Sequence, residues 1–454
     1  MLKINQILRQ VSIGRYKNFH LGSKSNVEQR LGVNLKMQIH EKAGIISLNR
    51  PTQLNALNLK MKRDLRMELE NYLYRYNSPE YAWQKHLSPK CDFILLNSTV
   101  QQAFCAGGDV IELYDQITAG FDNPEKGEKG WREALESVWL EYQLCHDIAN
   151  LPIPAVAVIS GIVMGGGAGI SMNCPYKIAT EKTVFAMPET KIGFFPDAGA
   201  SYFLNRLRVK DDDESKQYYP NLAMWMALCA VQIRAYDTFL TGIATHYIHS
   251  KYINEMQADL VYLNNENDNI AEDIESVLNH YHNLTLEEID EDENRDLSFI
   301  DNMPVIDEVF SKDSVSEMKL ALQNISSSSE NENSTDYTES QRDFAEGTLQ
   351  LLENKSPTSL ELTQIIMNAG KEPDFTLDDA LKIDWSIAIN CMQEFDMIEG
   401  IRSLLIEKNY QPKWMPLDEN LERYFMEQGG FLPGDKRRYI NLANGGNVDY
   451  EPIF

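Results

Sequence analysis

Two carboxylates stand eight residues apart in FAMPETKIGFFPDAGASYFL (185–204): Glu189 and Asp197, each directly after a proline, Pro188 and Pro196. The segment around them is largely apolar. Burial strips a carboxylate of hydration and disfavours its charged form, so an isolated acid is costly there. Neighbouring carboxylates in such a pocket raise one another's proton affinity, which suits an acid or base working near neutrality. Two glycine-bearing turns, Gly107-Gly108 and Gly165-Gly166-Gly167, follow strand-like runs. Backbone N–H groups at glycine turns and helix starts can point at an anion. In a parallel sheet both turns reach the same edge, where they could give two donors to one carbonyl oxygen, an oxyanion hole. Each feature also has an architectural reading. Glycines allow close backbone approach, and the acids could cap helices or pair with Lys191 or Arg206.

Other chemistries lack their residues. The eight histidines include no HExxH, and no metal site is expected. No GxSxG elbow occurs, which disfavours a serine hydrolase of that type. The run Gly165-Gly166-Gly167-Ala168-Gly169 is not GxGxxG, and no GKS or GKT follows a glycine loop, so nicotinamide and Walker-type sites are without signatures.

The elements that must carry these residues follow from periodicity. MQIHEKAGIISLNRP (37–51) predicts a hairpin turning near Lys42-Ala43-Gly44. LNALNLKMKRDLRMELENYL then has a helical period. CDFILLNS (91–98) and PAVAVISG (154–161) are buried strands, QQAFCAGGD (101–109) a loop, and WREALESVWLEYQLCHDIANL (131–151) a long amphipathic helix ended by Pro152. MGGGAGISM (164–172) is a glycine turn opening a helix, and YKIATEKTVFAMPE (176–189) gives two short strands. Strands alternating with helices make the first half α/β, with a largely parallel sheet. After about residue 205 the pattern turns helical. VKDDDESKQ (209–217) is a charged surface loop. Acids dominate from Asn264 to about Glu346, including EEIDEDENRD (287–296) and a low-complexity stretch at 324–343 that predicts a mobile loop. SPTSLELTQIIMNAG (356–370) resumes a helix with Ser356-Pro357-Thr358 at its start.

A net charge of −26 disfavours broad binding to nucleic acid or anionic lipid. Six cysteines without CxxC or framework spacing predict reduced thiols. Met1 to Val27 holds Lys3, Arg9, Arg15, Lys17 and Lys24 and no acid, and Leu2, Ile4, Ile7, Leu8 and Val11 can share a helical face. That is the character of a mitochondrial transit peptide, with a disordered basic tail as the alternative. No stretch predicts a membrane span; the longest apolar run, 153–170, is broken by Pro154 and five glycines.

NRPTQLNAL (49–57), AFCAGGD (103–109), GIVMGGGAG (161–169) and FAMPETKIGFFPDAG (185–199) together resemble the crotonase superfamily, and within it the 3-hydroxyisobutyryl-CoA hydrolase family. The similarity resumes in SPTSLELT (356–363) and FDMIEGIRSLLIEKNYQPKW (395–414) and covers roughly 37–425. The resemblance implies an α/β crotonase (ClpP-like) spiral of ββα units with a helical C-terminal region, and a CoA thioester as ligand. Its domains would be a transit peptide at 1–30, a core at 37–250, a mostly helical region at 251–425 with the acidic insertion near 324–343, and an extra tail at 426–454. Carried over, Gly108 and Gly166 give the oxyanion N–H groups, Glu189 is the principal catalytic carboxylate and Asp197 its partner. Glu141, in the LEY of the long helix, matches a substrate-contacting position; a solvent-exposed helix glutamate is its alternative. Enoyl-CoA hydratases need a second glutamate where this chain has Gly169, so the pattern here resembles the hydrolases.

The expected activity is hydrolysis of 3-hydroxyisobutyryl-CoA in valine catabolism, in the mitochondrial matrix, with no cofactor beyond the CoA of the substrate. Glu189 would attack the carbonyl, giving a mixed anhydride, or activate a water. Arg50, Lys60 and Lys62 are candidates for the CoA phosphates. Two other readings stay open. One is a structural protein of the small subunit of the mitochondrial ribosome, which proteins of this type also resemble, using the acidic insertion and the tail as docking surfaces. The other is a hydratase or isomerase, weakened by Gly169.

Overall fold

The computed structural model describes residues 28–31, 34–40, 42–77, 91–120, 124–209, 220–263, 269–288, 301–328 and 337–425. The basic stretch 1–27, most of the charged loop 209–217, most of 287–296 and the tail 426–454 lie outside the described residues.

Strands β1 (Glu28–Leu31), β2 (Leu35–His40) and β3 (Ala43–Leu48) form an antiparallel run. The predicted hairpin is β2–β3. β1 is an addition, and it begins inside the stretch 1–30 read as a leader. The apolar strands β4 (Phe93–Ser98), β6 (Ala155–Val158), β8 (Tyr176–Ala179) and β11 (His246–Tyr247) then continue in parallel, giving a seven-stranded sheet of order β1-β2-β3-β4-β6-β8-β11.

A second sheet was not legible from periodicity. β5 (Ala103–Cys105), β7 (Ile162–Met164) and β9 (Val184–Ala186) are three residues each and pair in parallel, and β10 (Ile233–Arg234) closes the order β10-β9-β7-β5. β5 lies inside the segment 101–109 expected to be a loop. At this length alternation carries almost no signal, and burial on all sides erases it. The repeating unit is therefore a strand in the large sheet, a strand in the small sheet, and a helix: β4–β5 with helices Val110–Thr118 and Pro124–Ala149, then β6–β7 with helix Gly166–Met172, then β8–β9 with helix Ala200–Phe203. Both glycine turns follow strands of the small sheet, not the long buried strands the sequence suggested.

The main core fills the space between the sheets and the helices, with Phe104, Tyr142, Phe185 and Phe195 fully buried. The outer face of the large sheet packs Phe93, Leu95, Val156 and Ile178 under helices Ile253–Val261 and Ile270–Glu288. The downstream helical region is thus built onto the α/β core. Ser356 caps helix Pro357–Ala369, as its SPT start predicts, accepting from the Ser359 N–H. A capping box of Thr376 and Asp379 opens helix Leu377–Cys391, which packs along Pro124–Ala149. The acidic stretch expected to be a loop over 324–343 is helical at both ends, in Val315–Ser326 and Glu339–Glu353; residues 329–336 lie outside the described residues. A Thr338–Gln341 capping box starts the second of these helices, and buried Ala345, Thr348 and Leu352 mark its inner face.

Candidate active site

The two glycine turns meet. An isolated parallel bridge joins Leu57 to Gly108: the Leu57 N–H donates to Gly107 O at 2.8 Å, and the Asp109 N–H to Leu57 O at 3.1 Å. In that pattern the N–H of Gly108 itself faces away from Leu57. Gly166 opens its helix, so its N–H has no intrahelical acceptor. Neither amide has a hydrogen-bond partner among the described residues. A Cβ added at Gly107 would lie 3.6 Å from Gly166 N, so the two turns are in near contact. Gly165 has φ +49 and ψ −125, a conformation confined in practice to glycine. The structure therefore leaves two adjacent amide donors unspent, as an oxyanion hole requires.

Glu189 starts the 3-10 turn Glu189–Ile192 just after β9. Thr190 ties that turn to helix Pro220–Cys229 through a bond from its Oγ1 to Leu228 O. The Glu189 carboxyl is buried over the glycine turn: a Cβ at Gly165 would come 2.6 Å from Oε1. Its Oε2 is buried with no hydrogen-bond partner. Burial first, then the charge of Asp197, hold this carboxyl well above the ordinary range.

Asp197 lies in the same pocket. Its Oδ2 accepts the Tyr142 hydroxyl at 2.8 Å. Burial and then Glu141 push the Asp197 carboxyl up to about 7, against the Tyr142 hydrogen bond and the Lys62 charge. Neither acid pairs with Lys191 or Arg206 among the described contacts. Arg206 instead donates to Tyr202, Gly370 and Phe375 carbonyls. The architectural reading of the acids is thereby replaced by a shared buried pocket.

Glu141 is not an exposed helix glutamate. It is buried and ion-paired at 2.5 Å to Lys62, whose side chain is 3% exposed. The Lys62 ammonium also donates to Ser137 O at 3.1 Å and Ser137 Oγ at 2.9 Å, which uses its three N–H bonds. Lys62 is therefore unavailable to a CoA phosphate. Arg50 uses its Nη1 on Asp109 at 2.5 Å and Ala56 O at 2.8 Å. Lys60 is exposed and paired within its helix to Asp64. The Glu141 carboxylate lies against both oxyanion glycines: a Cβ at Gly108 would be 3.0 Å from Oε2, and one at Gly166 would overlap Oε1.

Gly169, where hydratases carry their second glutamate, is closed. A Cβ there would come 2.7 Å from Ala198 Cβ and 2.8 Å from Cys145 Sγ. No larger side chain fits without displacing the turn that bears Asp197. The structure thus gathers Gly108, Gly166, Glu141, Glu189 and Asp197 into one place. It adds three residues the sequence reading missed: Lys62 as the partner of Glu141, Tyr142 on Asp197, and Asp384. Asp384 is fully buried and accepts the Gly199 N–H at 2.8 Å.

The chain matches the Enoyl-CoA hydratase/isomerase family model over residues 43–423. Mitochondrial 3-hydroxyisobutyryl-CoA hydrolase of Gallus gallus is 34% identical over 374 residues, covering 82% of each chain. The Homo sapiens protein of the same name is 34% identical over 398 residues, covering 85% of this chain and 86% of its own. The chain belongs to the enoyl-CoA hydratase/isomerase family, in its 3-hydroxyisobutyryl-CoA hydrolase branch. Among solved structures of this family's fold, a carnitinyl-CoA dehydratase from Mycobacterium thermoresistibile aligns with a TM-score of 0.64 at 24% identity, over 87% of this chain and 97% of its own. An enoyl-CoA hydratase from Rhodobacter sphaeroides 2.4.1 aligns at 0.63 and 22%, over 87% and 98%. Those likenesses establish the crotonase spiral and its helical C-terminal region as the fold.

Proposed function

We propose that this protein is a thioesterase that hydrolyses 3-hydroxyisobutyryl-CoA to 3-hydroxyisobutyrate and CoA, the reaction its relatives are named for, in the mitochondrial matrix. The observation that carries the reading is the buried, unpartnered Oε2 of Glu189 beside two unspent amides. An acid left unsatisfied in a closed pocket is a group held ready for a partner that is not part of the fold.

In this reading the thioester carbonyl oxygen accepts from Gly108 and Gly166 N–H. Hydrolysis places a negative charge on that oxygen, and each well-aimed donor is worth about 3 kcal/mol of barrier. Glu189 supplies the second component at the carbonyl carbon. It either attacks directly, expelling the CoA thiolate and leaving a mixed anhydride that water opens, or removes a proton from the attacking water. Asp197, titrating at about 7, exchanges the proton that the departing sulfur needs or binds the substrate hydroxyl. Glu141, tied by Lys62, contacts the substrate beside the glycines. Nothing in this scheme requires a cofactor beyond the CoA of the substrate. Closure of the Gly169 position favours hydrolysis over hydration, because the hydratase glutamate has no room. The matrix is proposed because the relatives are named mitochondrial and residues 1–27 are basic and acid-free.

The ribosomal scaffold reading has no observation in its favour among the described residues, and half of its proposed docking surface, 426–454, lies outside them.

The test is release of free CoA by protein lacking residues 1–27, across a panel of short acyl-CoAs with and without a 3-hydroxyl. Turnover highest on 3-hydroxyisobutyryl-CoA is expected. Absence of turnover above background on every thioester would reject the proposal. A single turnover in ¹⁸O-labelled water separates the two roles of Glu189: a proton taken from the attacking water leaves one ¹⁸O in the first product molecule, whereas direct attack followed by opening of the anhydride at the glutamyl carbon leaves that product unlabelled and puts the ¹⁸O in the Glu189 carboxylate.

A further inference from the structure

Asp197 is held from two directions by side chains that the chemistry above does not use. The fully buried Tyr142, on helix Pro124–Ala149, donates its hydroxyl to Asp197 Oδ2 at 2.8 Å. Asp384, on helix Leu377–Cys391, has no exposed surface, and its Oδ2 accepts the N–H of Gly199, two residues beyond Asp197, at 2.8 Å. Its Oδ1 is buried and has no hydrogen-bond partner. Between Asp197 and that bond the chain runs left-handed, Ala198 at φ +56 and Gly199 at φ +83. An alanine in this region is strained and persists only where its surroundings over-determine it. The Asp384 bond, with Leu377 and Leu381 packed at Gly199, is such a surrounding.

We infer that Tyr142 and Asp384 are positioning residues for the reaction: Tyr142 engages one oxygen of Asp197, and Asp384 locks the turn that carries it, so that Asp197 presents Oδ1 to the substrate. The inference rests on the hydrolase reading. It makes the downstream helical region part of the active site, because Asp384 is contributed from 185 residues beyond Gly199.

The groups facing Asp197 come from four elements. Glu141, Tyr142 and Cys145 lie on helix Pro124–Ala149, Lys62 on helix Leu59–Asn77, Glu189 on its 3-10 turn, and Asp384 and Cys391 on helix Leu377–Cys391. Burial and then Asp197 hold the Asp384 carboxyl well above its ordinary range, against the Gly199 hydrogen bond. The Tyr142 bond favours the charged form of Asp197, so its loss moves the titration of Asp197 to higher pH.

The experiment measures kcat and KM against pH on 3-hydroxyisobutyryl-CoA for wild type, Tyr142→Phe, Asp384→Ala and Asp384→Asn, with thermal unfolding of each. In Tyr142→Phe the limb reporting Asp197 should move up by about one pH unit, the roughly tenfold change in proton affinity that a hydrogen bond to a charged acceptor is worth. Asp384→Ala should lower kcat about tenfold or more with KM changed less than about threefold, and Asp384→Asn, which keeps an acceptor for Gly199, should restore most of it. An unshifted profile in Tyr142→Phe overturns the inference, as does a loss in Asp384→Ala that only tracks loss of folded protein. If wild type releases no CoA, the hydrolase reading is what fails. The pH dependence of thermal unfolding then still reports Asp197, and the same upward shift in Tyr142→Phe is required.

Discussion

Gly108 and Gly166 follow β5 and β7, neighbouring strands of one ladder, whereas Glu189 and Asp197 sit on a stretch, 187–199, in which no residue joins a strand. The glycine half is fixed by its own ββα units: the β5–β7 pairing and the Leu57–Gly108 bridge lie within the core. The acid half is gripped from far downstream. Ser359 Oγ donates to Phe194 O, Asp384 accepts from Gly199, and the Asn205 amide, just past the segment, donates to Met367 O at 2.9 Å. One half of the pocket is a product of the repeat, and the other of helices added after it. A fold that keeps the first and re-grips the second can move its acid from one position to another. In this chain Ala198 and Cys145 close the Gly169 position, and Asp197 supplies a carboxylate next door.

The sharpest way to divide the halves is to remove the proposed chemistry without touching the ladder. Glu189→Gln keeps the shape of the side chain but supplies neither nucleophile nor base. A fall in kcat of about 10³-fold or more is expected, with KM within a few-fold. CoA release under saturating substrate measures it. Retention of even a tenth of the activity would remove Glu189 from the reaction.

Gly166→Ala attacks the other half. The added methyl would overlap Glu141 Oε1, so either the carboxylate or the turn must shift. Loss of one aligned oxyanion donor lowers kcat by about 10²- to 10³-fold. Because the ladder holds β5 and β7 independently, thermal unfolding should move far less than kcat. A variant that loses both together would show that the glycine turn serves folding first.

The two halves also differ in how far the sequence exposes them. The glycine turns and both acids are legible because their residue types are conspicuous where they stand: clustered glycines after apolar runs, and carboxylates after prolines in apolar surroundings. The small sheet is not legible, since three-residue strands such as Ala103–Cys105 are too short to show a period. Lys62 reads as a surface cation on an amphipathic helix until Glu141, far along the chain, arrives to pair with it. Tyr142 follows Glu141 directly, and neighbouring helix positions point in different directions, so nothing local predicts that both enter one pocket. Asp384 leaves a usable trace. It falls in the stripe of Ala380, Leu381, Ile387 and Ala388, which are buried, and an acid in an otherwise apolar stripe asks for a buried partner.

Stability against pH separates the halves again. The glycine turns carry no titrating group, but Asp197 is raised from 3.8 to about 7. With the folded value above the unfolded one, both states are protonated below about pH 4, and this group then costs nothing. As pH rises toward 7 the unfolded chain ionises first, so the Asp197 contribution to stability falls through that window and levels off above it. The full effect is on the order of 4 kcal/mol. Asp197→Asn should therefore flatten the decline in unfolding free energy between pH 4 and 7 and be more stable than wild type at pH 8. An unchanged slope in denaturant titrations at those two pH values would mean that Asp197 is not the strained acid.

The smallest expected effect bears most directly on the downstream grip. Ser359→Ala removes the donor to Phe194 O and leaves a buried carbonyl unpaired, three residues before Asp197. The cost to folding is about 1 kcal/mol, a shift of only a few degrees in Tm for a chain of this size. If helix Pro357–Ala369 merely covers the core, kcat should be untouched at a temperature where the variant stays folded. If it aims the acid segment, kcat should fall about three- to tenfold there while KM holds, since the glycine half is held by its own ladder. Combining Ser359→Ala with Gly166→Ala then decides the comparison: two halves gripped independently predict that the losses in kcat multiply, whereas a shortfall from that product would show that the ladder and the downstream helices hold one unit.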